Sequence, residues 1–155
     1  MKIFIASDHR GFALKEYIKL HLNSSLVKEE TPPKAGEEFE TIDCGPATFV
    51  KDDDYVDYGI AAITKMEEGD RSILLCGSGH GMDMLANRYP NMRAILGFNE
   101  SVVQQGREHE DANVLIIPSD WTSNDQAIIL SRIFLETPFS NEERHIRRIK
   151  KLSEI

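Results

Sequence analysis

The sequence holds only two cysteines, Cys44 and Cys76, in 155 residues. Neither belongs to a CxxC pair, so a zinc site has no support and no metal is expected. No apolar run approaches the roughly 18 residues needed to cross a membrane. The start, MKIFIASDH, lacks the apolar core and small-residue cleavage site of a signal peptide. These absences lead to the expectation of a cytoplasmic protein with two free thiols rather than a disulfide. Basic residues are in deficit, 18 against 26 acidic, for a net charge of −8. That argues against nucleic acid or an anionic membrane surface as the partner. Internal repeats and low-complexity segments are absent. So are the GxGxxG and Walker spacings: the turn after the first apolar run reads Asp8-His9-Arg10-Gly11, which disfavours a dinucleotide-binding domain.

Hydrophobic residues make up 41% and charged residues 28%, the balance of an ordinary globular chain. The length predicts one domain over residues 1–155 with a real core. Short apolar runs KIFIAS (2–7), FETIDC (39–44), SILLC (72–76), MRAILGF (92–98) and NVLIIP (113–118) read as strands. Between and after them, helical patterns cover 12–22, 52–69, 82–88, 100–109, 124–137 and 141–152. Gly69 reads as a helix stop, Gly106 as a weak point, and Thr122 or Ser123 as a cap. The polar, proline-bearing stretch 23–38 reads as a long loop. This alternation predicts an α/β protein: a doubly wound sheet of five parallel strands between helices, three layers in all. In such sheets ligands bind beyond the carboxyl ends of the strands.

That rule selects the residues able to do chemistry. Cys76 ends the third strand, against Gly77-Ser78-Gly79-His80-Gly81 and the start of a helix. Successive backbone N–H groups there can cradle an anion, and a thiol beside a helix N-terminus tends toward a lowered pKa. Taken alone, the glycines are equally a tight βα turn. Cys44 also ends a strand but lacks the cradle, and reads as packing. Asp8 and His9 end the first strand, so they should open on the same rim as Cys76. Singly, Asp8 is a helix cap, His9 a loop histidine and His109 a favourable charge at a helix C-terminus. The basic tail RHIRRIKK (144–151) is a solvated helix face or an anion site. Together these groups describe acid–base chemistry on a small anionic molecule.

SDHRGF (7–12), DCG (43–45), ILLCGSGHGM (73–82), AN (86–87), REHEDANVL (107–115) and RHIRR (144–148) occur in that order along nearly the whole chain. In this combination the chain resembles the ribose-5-phosphate isomerase B family, which includes galactose-6-phosphate isomerase subunits. The resemblance implies a Rossmann-like fold and an aldose–ketose isomerase of a phosphorylated sugar, without metal or cofactor. It implies a homodimer, often paired into a tetramer, with the active site between subunits. By position, Cys76 is the base at C2 and His109 assists ring opening. Asp8 and His9 contact substrate, residues 77–81 hold the enediolate oxygens, and Arg144 and Arg148 bind phosphate.

Several positions depart from the pattern of the family. Glu110 stands where asparagine is usual, and a carboxylate accepts but cannot donate to a sugar oxygen. Asp120 stands where another phosphate-binding arginine is usual. Arg10 and Asp83 replace small residues, His80 replaces an aliphatic one, Asp54-Tyr55-Val56 stands for DYP, and the 23–38 loop is longer. Arg10 and His80 are expected to restore the positive charge that Asp120 removes, and Glu110 to contact substrate. Three functions stay open: an isomerase of ribose 5-phosphate, an isomerase of a hexose or tetrose phosphate, and a non-catalytic sugar-phosphate-binding partner subunit.

Overall fold

The computed structural model describes residues 1–22 and 40–155. Its strands are β1 (Lys2–Ser7), β2 (Glu40–Asp43), β3 (Arg71–Cys76), β4 (Ala94–Leu96) and β5 (Val114–Pro118). All pair in parallel, in the order β2-β1-β3-β5-β4. The central strands are apolar without alternation because both faces are covered. On one face, Ile3, Ile5, Ile73, Leu75, Leu115 and Ile117 pack against α1 (Phe12–Leu22), α4 (Glu100–Glu110) and α5 (Asn124–Glu136). On the other, Phe4, Ala6, Leu74, Cys76, Val114 and Ile116 meet α2 (Tyr55–Ile63) and α3 (His80–Ala86). A sixth helix, α6 (Glu143–Leu152), follows α5 and packs on α4.

The chain passes from β1 outward to β2 and returns across β1 to β3. The strand order therefore reverses between β1 and β3, where such sheets open a ligand crevice at their carboxyl edge. The register places Ser7 opposite Leu75 and Cys76 opposite Pro118, so Asp8 and Cys76 emerge on one rim as expected.

The sequence patterns locate α1 to the residue and the central strands within one residue. Differences appear where turns intrude. The helix expected over 52–69 is only Tyr55–Ile63, because Asp52 turns with φ 59° and the chain leaves the helix after Thr64. The helix expected from 82 starts at His80, capped by Gly79 in the left-handed conformation. A side chain at 79 would also lie 2.5 Å from Leu96, so backbone and space both require glycine. Gly106 is not a weak point: α4 runs unbroken through it, and its bare α-carbon admits Ile95. Ser123, not Thr122, caps α5 by accepting from Gln126 N–H. The predicted 23–38 loop lies outside the described residues.

Buried charge is compensated locally. The Lys15 ammonium is fully buried and donates to Asp43 at 2.6 Å and Glu16 at 2.8 Å. Burial alone would push Asp43 up, but Lys15 and Lys19 together outweigh it and hold its carboxyl below the ordinary value. This network ties α1 to the edge strand β2.

Candidate active site

A cleft of about 260 Å³ opens at the carboxyl edge, between the ends of β1, β3 and β5. Its floor is Cys76 with Gly77 and Ser78; Asp8 and Arg10 line it from the β1 turn. Asp120 comes from the segment after β5, and Tyr55 and Gly81 close the α2–α3 side. The end of β5 is stitched to that of β3: Ser119 N–H and hydroxyl both donate to the Cys76 carbonyl, and Asp120 N–H donates to the Gly77 carbonyl. Those bonds set Asp120 beside the glycine turn.

Cys76 is 4% exposed. The backbone N–H groups of Met82, Gly79 and Gly81 donate toward its sulfur, so the cradle faces the thiol itself. The lowered pKa expected from a helix N-terminus is not realised. Burial is the larger effect and pushes the thiol up, and the nearby Asp8 carboxylate adds to the rise. Burial thus favours the neutral thiol of Cys76, while the backbone donors favour its thiolate. Cys44 is a packing residue, buried with Ala62 and Ile63 and likewise raised by burial.

Asp8 is both a cap and a cleft residue. One oxygen accepts from Arg10 N–H at 3.0 Å and Gly11 N–H at 3.1 Å, turning the chain into α1. Burial raises its carboxyl despite those bonds. His9 is turned to the side of the cleft. Its backbone N–H donates to Asp53 Oδ1, and Nδ1 bonds the same oxygen, each at 2.8 Å. That bond raises the imidazole pKa, and among the described residues Nε2 has no hydrogen-bond partner. Phe49 meets the ring edge-on.

Of the two residues expected to restore the positive charge that Asp120 removes, Arg10 lines the cleft beside Asp120 and His80 does not. Arg10 Nη2 donates to Asp120 Oδ2 at 2.6 Å, and Nε to Oδ1 at 3.3 Å. The two departures are thus each other's partners. His80 is exposed on the rim against Trp121, outside the cleft lining.

His109, Glu110, Arg144 and Arg148 are not brought to this cleft within one chain. Helix α4 descends from the carboxyl edge, so its last turn lies where β5 begins, roughly 13 Å of strand below Pro118. His109 stacks there on the buried His145 of α6, with ring centroids 4.4 Å apart, and His145 Nδ1 bonds the Ser140 hydroxyl at 2.7 Å. The Glu110 carbonyl accepts from Arg93. Arg144 is exposed and paired with Glu142, and Arg148 is exposed one turn later.

The residues not singled out as site residues from sequence are Tyr55 and Asp53. Tyr55 was legible as the tyrosine of Asp54-Tyr55. Asp53 had no local signal, because its partner His9 is 44 residues away.

The profile of the family described as ribose/galactose isomerase matches residues 3–152. The chain belongs to the ribose/galactose isomerase family. Ribose-5-phosphate isomerase B of Mycolicibacterium paratuberculosis is 34% identical, over 99% of this chain and 91% of that protein. The crystal structure of a ribose 5-phosphate isomerase from Thermotoga maritima superimposes with a TM-score of 0.85 at 36% identity, covering 99% of this chain and 98% of that one. Ribose-5-phosphate isomerase B of Mycoplasma genitalium with bound ribulose 5-phosphate gives 0.86 at 34% identity, over 99% and 94%. The five-stranded parallel sheet is thus that of a family of isomerases. Among the described residues no helix is long and apolar enough to cross a membrane, and no cluster of three metal-ligating side chains occurs.

Proposed function

We propose that this isomerase interconverts ribose 5-phosphate and ribulose 5-phosphate in the cytoplasm, with Cys76 as the base. The observation that carries the proposal is a buried thiol beside the 77–81 glycine turn, in the cleft at the strand-order reversal. Hydrogen on the carbon beside a carbonyl is a poor acid, so its removal needs a positioned base and donors for the oxyanion. Cys76 gives up its S–H proton to solvent as the backbone donors stabilise the sulfur anion, and the thiolate then takes the proton from C2 of the open-chain aldose. The electron pair moves into a C1–C2 double bond, and the C1 oxygen becomes an enediolate oxygen. Cys76 returns the proton to C1 while the O2 proton passes to the C1 oxygen, leaving a hydroxyl at C1 and the ketone at C2. Ser78 and the N–H groups of the 77–81 turn hold those oxygens, and Asp8 contacts a substrate hydroxyl.

A second copy of the chain completes the site in this reading. His109 for ring opening and Arg144 and Arg148 for phosphate lie at the other edge of the sheet in one subunit, which supports a homodimer. Exposed Val56, Ile60 and Met84 on the α2–α3 layer offer apolar surface for it.

The test is isomerisation of ribose 5-phosphate by the purified protein, beside Cys76→Ala and a panel of pentose, hexose and tetrose phosphates. Activity on ribose 5-phosphate that vanishes in Cys76→Ala is the expected result. Turnover of a different panel member alone would replace the substrate. Silence on the whole panel would favour a binding subunit.

A further inference from the structure

Arg10 crosses the end of β3. It leaves the β1 turn, and its partner Asp120 leaves β5, the strand on the opposite side of β3. Their bond lies directly over Gly77: a β-carbon there would sit 2.5 Å from Arg10 Nε and 3.0 Å from Asp120 Oδ2. The pair therefore roofs the residue that follows Cys76.

The pairing leaves Arg10 with unused capacity. A guanidinium carries five N–H donors in a fixed fork. Asp120 accepts from Nε and once from Nη2. Nη1 and the second Nη2 hydrogen have no acceptor among the described residues. The Arg10 side chain is 55% exposed and that of Asp120 32% exposed. An ion pair this open contributes little to folding stability, so stability does not account for it. Charge points the same way. The charged residues lining the cleft are Asp8, Asp120 and Arg10. Within one subunit, an anion entering the cleft is repelled by two carboxylates unless it meets the Arg10 guanidinium.

We propose that Arg10 binds the phosphate of the substrate through its free N–H fork, and that Asp120 is its positioning residue. The proposal rests on the sugar-phosphate isomerase reading for the identity of the anion. Asp120 has two opposed effects. Its oxygens hold the guanidinium over Gly77, and its charge competes with the phosphate for that guanidinium. Affinity for phosphate is thereby held below what Arg10 alone would give, which makes Asp120 a determinant of specificity and release.

The experiment measures binding of inorganic phosphate by calorimetry and steady-state kinetics on ribose 5-phosphate, for the intact protein, Arg10→Ala, Asp120→Asn and Asp120→Ala. Arg10→Ala should weaken phosphate binding and raise KM roughly 10- to 100-fold, the loss of a charge-assisted contact, with a smaller effect on kcat. Asp120→Asn keeps an oxygen for Arg10 and removes the competing charge, so it should tighten phosphate binding several-fold. Asp120→Ala should bind phosphate more weakly than Asp120→Asn. Unfolding midpoints should move little in all three, which separates these effects from misfolding.

Active protein whose phosphate affinity and KM ignore Arg10→Ala would overturn the proposal and leave the isomerase reading intact. Equal phosphate affinity in Asp120→Ala and Asp120→Asn would overturn the positioning role. Phosphate binding that depends on Arg10, in a protein that isomerises no sugar phosphate, would uphold Arg10 and remove the isomerase reading.

Discussion

At the carboxyl edge of the sheet, Cys76, Asp8 and Asp120 share a cleft beside a glycine turn, and burial holds both Cys76 and Asp8 above their ordinary pKa values. At the amino edge, Arg93 and Arg107 both pair with Asp111 at 2.9 Å, and Arg107 reaches the carbonyls of Ala112 and Thr137. One edge holds titratable groups desolvated around an open cleft; the other ties its buried charges into a closed network that joins α4 to β5 and to the end of α5. Desolvated titratable groups are costly to fold and useful for chemistry, whereas saturated networks hold shape. The residues matched to ring opening and phosphate binding sit at the saturated edge. A single subunit therefore separates groups that the proposed reaction needs together.

The largest effect is expected from breaking the cleft. Cys76→Ala should lower kcat by about 10²–10⁴-fold or more, the contribution of a positioned base. His109→Ala should also be severely impaired. If the two edges meet across a dimer, co-expressing the two variants should restore roughly a quarter of full activity, because half of the dimers then carry one intact site. No recovery on mixing would place both residues in one subunit's site and dissolve the comparison. Next in size is the amino edge. Arg107→Ala should cost about 2–4 kcal/mol in urea unfolding, since Arg107 is buried and multiply bonded. Cys76→Ala should cost distinctly less; equal losses would mean that the cleft is as structural as the network.

Thiol titration sharpens the contrast further. Burial raises both cysteines, so alkylation of each should be slow at neutral pH and climb about tenfold per pH unit. Added ribose 5-phosphate should protect Cys76 and spare Cys44. A Cys76 rate that is already flat by pH 7 would mean that the backbone donors outweigh burial. The smallest effect concerns His9. Its imidazole is raised by the bond to Asp53 from an ordinary value of 6.5. Protonated His9 therefore contributes stability that is fully present below pH 6.5 and is lost as pH rises through the raised value. Asp53→Asn should flatten that slope in unfolding curves taken on either side of it. An unchanged profile would remove the His9–Asp53 bond as its source.

Much of the fold was legible because its signals are local. Apolar runs without alternation mark β1, β3 and β5, and the strand-end rule sets Asp8 beside Cys76 before any coordinates. Helix ends were less legible. The left-handed turns at Asp52 and Gly79 shift α2 and α3, and such turns depend on the neighbours the backbone must avoid. In the site, the placement of the thiol was readable, but its pKa direction was not: burial, a property of the packed state, reverses the expected fall. The Arg10–Asp120 pair joins positions 110 residues apart; in isolation Asp120 reads as an acid where phosphate needs a base, and nothing local shows that Arg10 is its partner.

Residue type and spacing alone carry the parallel α/β architecture, the family and the thiol at the end of a strand. The packed fold sets which charges neutralise one another, that burial raises rather than lowers Cys76, and that His109 lies at the far edge from it. Those outcomes depend on distances through a packed interior, where electrostatic and desolvation energies are set by neighbours remote in the chain.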